Sequence, residues 1–180
     1  MLAHTLPLWP LPASLVEFDP AIRLLDPGFH ISIRGNAQFN PLLQSSVSWY
    51  KKLLTSTVPD GSFACSNYTT VAPLLELSVV SLSNISSLFA DTDESYTLRV
   101  PSDAMAAQLS APTIFGAMRG LETFSQLVGR SPGDVPSSAS LYSVCAGLEI
   151  ADAPRFHHRE LLIDTARFFF PPSFLRHVID

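Results

Sequence analysis

The residues with the clearest capacity for chemistry lie close to the C-terminus of the sequence. Residues 161–163 form a short apolar run of the kind found in buried strands, and Asp164 and Arg167 follow it directly. In β/α architectures, side chains at the C-terminal end of a strand build binding and catalytic sites. The pattern is satisfied equally by a functional site and by a structural ion pair between Asp164 and Arg167.

Other kinds of catalytic site find no support in the residue spacing. His157 and His158 are adjacent, and adjacent side chains of a strand point to opposite faces, so the two imidazoles cannot easily share one metal ion. No Gly-x-Ser-x-Gly motif occurs, and the eight glycines are spread singly rather than grouped in a phosphate-binding loop. The sequence therefore predicts no metal site, and no cofactor is expected.

Composition narrows the class of protein further. The chain has 180 residues, 47% of them hydrophobic and only 15% charged, which is enough apolar material for one buried core. Its net charge of −5, without a basic stripe, argues against a nucleic-acid partner. No apolar run reaches the roughly 18 to 20 residues that a membrane-spanning helix needs, so no transmembrane segment is predicted. Fifteen prolines favour short elements joined by loops over a bundle of long helices.

Three features concern the cellular compartment. The sequence holds two N-glycosylation motifs, at Asn67 and Asn84, although a serine-rich chain also produces such triplets by chance. Cys65 and Cys145 fit a disulfide and two buried thiols equally well. The first ten residues have neither a cationic start nor a continuous apolar stretch, so no signal peptide is predicted there.

Hydrophobic spacing predicts the elements that must position these residues. Apolar side chains at three- and four-residue spacing predict helices over residues 41–56 and 114–127, the second ending near Gly129. Alternating or β-branched runs predict strands over 16–19, 21–24, 29–34, 74–80, 94–101 and 141–144, and turn-rich polar stretches predict loops over 55–70 and 131–140. A last helical stripe begins after Pro172 and stops at Asp180 before a third turn, which suggests a truncated chain.

Four stretches of the sequence carry a resemblance to a known family. They are Leu-Trp-Pro-Leu-Pro at 8–12, Glu-Ser-Tyr-Thr-Leu at 94–98, Thr-Ile-Phe-Gly-Ala-Met-Arg-Gly-Leu-Glu-Thr-Phe-Ser-Gln-Leu at 113–127, and residues 152–171. In this order they resemble the N-terminal part of the β-N-acetylhexosaminidases, glycoside hydrolase family 20. The third stretch is the most specific, and the fourth resembles the first strand of the family's catalytic barrel.

The resemblance implies an architecture of two parts. Residues 8–152 would form the non-catalytic α+β domain of the family, an antiparallel sheet with helices packed on one face. Residues 153–180 would be the first β/α unit of an incomplete (β/α)₈ barrel. The parent enzyme would remove terminal N-acetylhexosamine from glycans, would pass through the secretory pathway to a vacuole, a lysosome or the cell exterior, and could form a homodimer. This setting favours glycans on Asn67 and Asn84.

The resemblance also implies which residues do what. The sugar's own acetamido oxygen attacks its anomeric carbon, an aspartate orients that group, and a neighbouring glutamate is the general acid. That Asp-Glu pair would lie downstream, so no catalytic residue is expected within this chain. Arg167 matches the arginine that binds hydroxyls of the terminal sugar, and Asp164 would support it. The chain departs from the family pattern at Glu160, where the family has glycine, and at Phe168, where it has histidine.

Two hypotheses follow from different classes of protein. The first is a fragment of a β-N-acetylhexosaminidase that is inactive by itself. The second is a short interaction module that docks the helix of residues 115–127 onto a barrel in trans. They differ in what they expect of the C-terminal phenylalanines, which are exposed in an orphaned barrel fragment and covered in an evolved module.

Overall fold

The computed structural model of the chain describes residues 6, 8–56, 70–130 and 142–179. Within these ranges the fold is mixed α and β, with one six-stranded sheet and three helices. The elements in chain order are β1 (Ser14–Gly35), α1 (Pro41–Ser56), β2 (Thr70–Ser81), β3 (Tyr96–Val100), β4 (Ala106–Ala111), α2 (Ile114–Leu127), β5 (Val128–Arg130), β6 (Tyr142–Asp152) and α3 (Pro172–Ile179).

The sheet is mixed, which corrects the antiparallel sheet expected from the sequence. Its strand order is β1-β2-β4-β3-β6-β5, and β1 also pairs with β6, so the sheet closes back on its first strand. The β1–β2 and β2–β4 pairs are parallel, whereas the other pairs are antiparallel. The connection through α1 accounts for the parallel β1–β2 pair, because a helical crossover returns the chain to the end of the sheet from which it left.

The three strands predicted over residues 16–34 are one long strand in the structure. Residues 14–24 of β1 pair with β6 and residues 22–35 pair with β2, with register shifts that include those between Glu17 and Ala21 and between Leu25 and His30. Pro20 and Pro27 fall inside these two shifts. Since proline has no N–H to donate to a ladder, the prolines interrupt the pairing without ending the strand.

Both long helices form where they were predicted. Asn40 caps α1, its Oδ1 accepting from the backbone N–H groups of Leu42 at 3.0 Å and Leu43 at 3.3 Å. Thr113 caps α2 in the same way through the N–H of Gly116. The two helices pack against each other, and α2 also packs against the sheet. The buried face of α2 consists of Ile114, Gly116, Ala117, Gly120, Leu121, Phe124 and Leu127.

Two strands were not predicted. Strand β4 buries Ala107, Leu109 and Ala111 on one face, but alanine is a weak strand former and masked the alternation. Strand β5 follows α2 without a loop and pairs with the start of β6 at Val144. The predicted strand at 141–144 is the beginning of the longer β6, while its residue 141 and the predicted loop 131–140 lie outside the described residues, as do 57–69 of the predicted loop 55–70.

One arginine is built into the core. Arg23 on β1 is 0% exposed, and its guanidinium donates to four backbone carbonyl oxygens. Nε donates to Ala72 at 2.7 Å, Nη2 to Pro73 at 2.7 Å, and Nη1 to Pro101 at 3.1 Å and to Ala104. Burial lowers the pKa of Arg23, and the nearby Asp103 opposes that change. The side chain thus joins β1 to the start of β2 and to the β3–β4 turn.

The N-terminal segment is held to α2 by a reciprocal pair of hydrogen bonds. Gln126 accepts from the N–H of Trp9 at 2.7 Å and donates to the carbonyl oxygen of the same residue at 2.9 Å. The indole itself is 83% exposed. A side-chain amide therefore pairs with the backbone of residue 9 as a neighbouring strand would.

The C-terminal segment differs from its prediction in one respect. Helix α3 forms after Pro171, as expected, but no strand forms over residues 161–163. A strand needs a neighbour to accept and donate its backbone hydrogen bonds, and no described strand pairs with these residues. Among the described residues, no helix is long and apolar enough to span a membrane.

Candidate functional site

The structure brings Asp164 and Arg167 together in a tight turn. Oδ1 of Asp164 accepts from the backbone N–H groups of Ala166 at 2.9 Å and Arg167 at 3.1 Å, and Oδ2 accepts from Nε of Arg167. These bonds, that from the guanidinium first, lower the pKa of the Asp164 carboxyl. The carboxylate therefore fixes both the backbone and the side chain of Arg167.

The geometry leaves the outer part of the guanidinium open. The Arg167 side chain is 80% exposed. Only Nε donates to Asp164, and within the described residues neither terminal nitrogen donates to a protein acceptor. A planar guanidinium in this state can donate to two neighbouring oxygens of one ligand. The arrangement is thus suited to binding vicinal hydroxyls or an anion, and it supplies no group for proton transfer at neutral pH.

The surroundings of this pair are apolar and exposed. Leu162, Phe168 and Phe169 all lie open to solvent, the last of them 86% exposed. Phe170 stacks on Phe174 of α3, with ring centroids 5.0 Å apart. Several exposed large apolar side chains in one short segment are typical of a region that another part of a protein covers.

The two departures from the family pattern lie on this same surface. Glu160 is exposed, with its carboxylate 3.3 Å from Nε2 of His158. Phe168 points its ring to solvent beside Arg167 in the sequence and makes no core contact among the described residues. In this structure neither side chain disturbs the turn that Asp164 builds.

The predicted modification sites have different outcomes. Asn84 lies exposed in the connection between β2 and β3, where its Oδ1 accepts from Nδ2 of Asn40 at 2.8 Å. The same nitrogen of Asn40 donates to Oγ of Ser86, the third residue of the motif, at 2.9 Å. Cys145 is buried on β6 and disulfide-bonded rather than a free thiol. Asn67 and Cys65 lie outside the described residues.

Sequence reasoning missed one polar residue connected to this segment. Glu94 is buried just before β3 and binds two arginines, Arg119 of α2 and Arg159 of the C-terminal segment. Burial raises its pKa, but the bonds from the two guanidinium groups outweigh that effect and leave the pKa below its usual value. The available signal was that all three charges fall within the stretches that carry the family resemblance.

Comparison with known proteins gives one consistent result. Residues 8–127 match a family profile described as beta-acetyl hexosaminidase like. Beta-hexosaminidase subunit A2 of Dictyostelium discoideum is 39% identical over 150 residues, which is 83% of this chain and 25% of that protein. Beta-hexosaminidase 1 of Arabidopsis thaliana is 32% identical over 183 residues, covering 96% of this chain and 33% of that protein.

Solved structures agree with this result. The chitobiase of Flavobacterium johnsoniae superposes with a TM-score of 0.72 and 25% identity, covering 99% of this chain and 25% of that one. The chain thus spans between a quarter and a third of the length of these relatives.

Proposed function

This chain belongs to the β-N-acetylhexosaminidases of glycoside hydrolase family 20, and we propose that it is the N-terminal part of an enzyme that removes terminal N-acetylhexosamine from glycans. The reaction of the whole protein would be substrate-assisted and retaining, with the orienting aspartate and the acid glutamate supplied outside these 180 residues. The relatives' names and the length they extend beyond the match support this proposal. The chain by itself is then inactive as a hydrolase.

The burial of apolar side chains supports a division of the chain into two regions. We propose that residues 8–152 are the non-catalytic α+β domain and that residues 153–180 begin the catalytic barrel. The first region has an extensive apolar core of its own, although some of its apolar side chains, such as Phe39 at 82%, stay exposed. The second exposes Leu162, Phe168 and Phe169, as the start of a barrel does without its neighbouring strands.

Arg167 is the residue of this chain that we propose touches the substrate. The observation that carries the proposal is its guanidinium, fixed at Nε by Asp164 and open at both terminal nitrogens within the described residues. Two parallel N–H donors match the spacing of two adjacent hydroxyls on a sugar ring. Asp164 is then a positioning residue that fixes the donor before the sugar arrives.

The test is hydrolysis of an aryl N-acetyl-β-glucosaminide. In the full-length enzyme that contains this chain, R167A is expected to lower kcat/KM about 100-fold, since it removes charge-assisted hydrogen bonds of about 1.5–3 kcal/mol each. The control R176A, also an exposed arginine of this segment, should stay within about twofold. The 180-residue chain should show no turnover, and hydrolysis by it that R167A abolishes would contradict the proposal.

The alternative of an interaction module finds less support. Docking α2 in trans needs its apolar face, but that face is buried against the chain's own sheet and α1. The exposed phenylalanines fit an incomplete barrel better than a finished surface. Gel filtration of the chain distinguishes the two, because the fragment should self-associate, whereas a monodisperse monomer would favour the module.

We further propose that the protein matures in the secretory pathway and carries a glycan on Asn84. Asn84 uses only its carbonyl oxygen towards Asn40, so its amide nitrogen can bear a sugar while that bond persists. Expression in a eukaryotic secretory host should give a product whose mass falls on treatment with an N-glycosidase. In N84Q the decrease in mass should be smaller by the mass of one glycan. In N36Q, which lies outside any glycosylation motif, the decrease should be the same as in the wild type. The Asn67 glycan and the identity of Cys65 as the disulfide partner of Cys145 remain predictions from the sequence.

A further inference from the structure

A buried carboxylate away from the candidate site joins the two regions of the chain. Glu94 is 9% exposed, and each of its oxygens binds a different arginine. Oε2 accepts from Nε of Arg119 on α2 at 2.9 Å, and Oε1 accepts from Nη2 of Arg159 at 2.5 Å. Because both guanidinium groups are permanently charged, these are charge-assisted bonds of the stronger kind. One side chain thus connects the domain helix to the C-terminal segment.

The backbone that carries Glu94 is fixed by the start of α2. Thr113 donates from Oγ1 to the carbonyl oxygen of Asp93 at 2.5 Å, and Oδ1 of Asp93 accepts from the N–H of Ser95 at 2.9 Å. Gly116 lets the helix approach still closer, since a Cβ there would lie 2.1 Å from the carbonyl oxygen of Ser95. The backbone that carries Glu94 is therefore fixed by contacts within the domain.

The bond to Arg159 has no parallel elsewhere in the segment. Among the described residues, it is the one hydrogen bond or ion pair that joins residues 153–179 to the preceding domain. Arg159 also donates from Nη1 to the carbonyl oxygen of Phe156, so its guanidinium holds its own segment in shape. The rest of the segment's polar contacts are local, including those of Asp164 with Arg167.

We infer that Glu94 is a positioning residue that, through Arg159, holds the segment carrying Arg167 against the α+β domain. Arg119 binds the second oxygen of Glu94 and keeps the carboxylate aimed at the segment. This inference deepens the proposed function and rests on it only for the ligand of Arg167. The tether itself is a property of this chain, so it can be tested without any sugar.

The test is the mobility of the segment, measured by ¹⁵N relaxation on the monomer fraction of the 180-residue chain, because self-association would itself order the segment. In the wild type, backbone order parameters of residues 155–167 should lie near the value of about 0.85 typical of a rigid backbone. In E94Q and in R159Q they should fall below about 0.6, the range of flexible segments, while those of β3 and α2 stay unchanged. R159Q alters a partly exposed residue outside the core, so it decides the matter if E94Q does not fold.

A matched control comes from a second glutamate. Glu76 accepts from Arg34 at 2.9 Å and from Ser32, but both partners lie on β1 and neither belongs to the segment. E76Q should leave residues 155–167 rigid. Unchanged order parameters in both E94Q and R159Q, or an equal loss in E76Q, would overturn the inference. R167A should leave the order parameters of residues 155–163 unchanged, so failure of the sugar proposal and failure of the tether are separate results.

Discussion

The α+β domain and the C-terminal segment treat the same kinds of residue in opposite ways. Phe124 of α2 is 1% exposed and stacks on Phe29 of β1, whereas Phe168 and Phe169 lie in solvent. Arg23 is buried among backbone carbonyls, whereas Arg167 reaches outward. The domain buries a large apolar core of its own, although some of its apolar side chains, such as Phe39, stay exposed. The segment leaves Phe168, Phe169 and the Arg167 guanidinium exposed to solvent.

The largest expected difference between the regions is the cost of truncating a phenylalanine. F124A should lower the free energy of unfolding by about 4 kcal/mol, because it removes a buried ring and leaves a cavity. F169A should change it by less than about 0.5 kcal/mol, because the ring is already in water. Chemical denaturation of both variants measures this. Equal losses would show that the segment is part of the same core and would break the comparison.

A smaller effect is expected from the buried arginine. R23M should lower the free energy of unfolding by about 3 kcal/mol, since it leaves four buried carbonyl oxygens without their donor. R34M removes an exposed arginine of the same strand and should cost less than about 1 kcal/mol. Thermal unfolding of the two variants compares them. A stable R23M would mean that water replaces the guanidinium at this point in the fold.

The smallest effect is a dependence on pH at the joint between the regions. The folded pKa of Glu94 is lowered, so its contribution to stability is present above the unfolded pKa of about 4.3 and is lost as the pH falls through the folded value. The melting temperature of the wild type should therefore fall more steeply below pH 4 than that of E94Q. If the melting temperatures of the wild type and E94Q fall in parallel with pH, the ion pairs of Glu94 do not help to join the two regions.

Local sequence patterns predicted much of the fold, but they did not predict how the strands pair. Helices α1 and α2 follow from apolar spacing along the chain, and both form as expected. The family resemblance implied an antiparallel sheet, and this was wrong. The direction of β1 relative to β2 depends on how the intervening helix crosses the sheet, which no local pattern encodes. Strand β4 was missed because its buried face contains two alanines.

In the candidate site too, local contacts could be predicted from the sequence and long-range contacts could not. Asp164 and Arg167 are three residues apart, so one turn of the chain suffices to join them, and the sequence indicated the pair. Glu94 and Arg159 are 65 residues apart, and only the folded sheet brings them together. The strand expected over residues 161–163 was wrong for this chain because a strand forms by pairing rather than by its own composition.

The bond between Gln126 and residue 9 has a consequence for how the sequence can vary. The glutamine contacts only main-chain atoms of Trp9. Its hydrogen bonds are therefore indifferent to the side chain at position 9, provided that the residue there has an N–H, which every type except proline does. Substitution at position 126 removes both bonds at once. Selection for this attachment should thus act on position 126 of the helix and leave the residue type at position 9 free to vary.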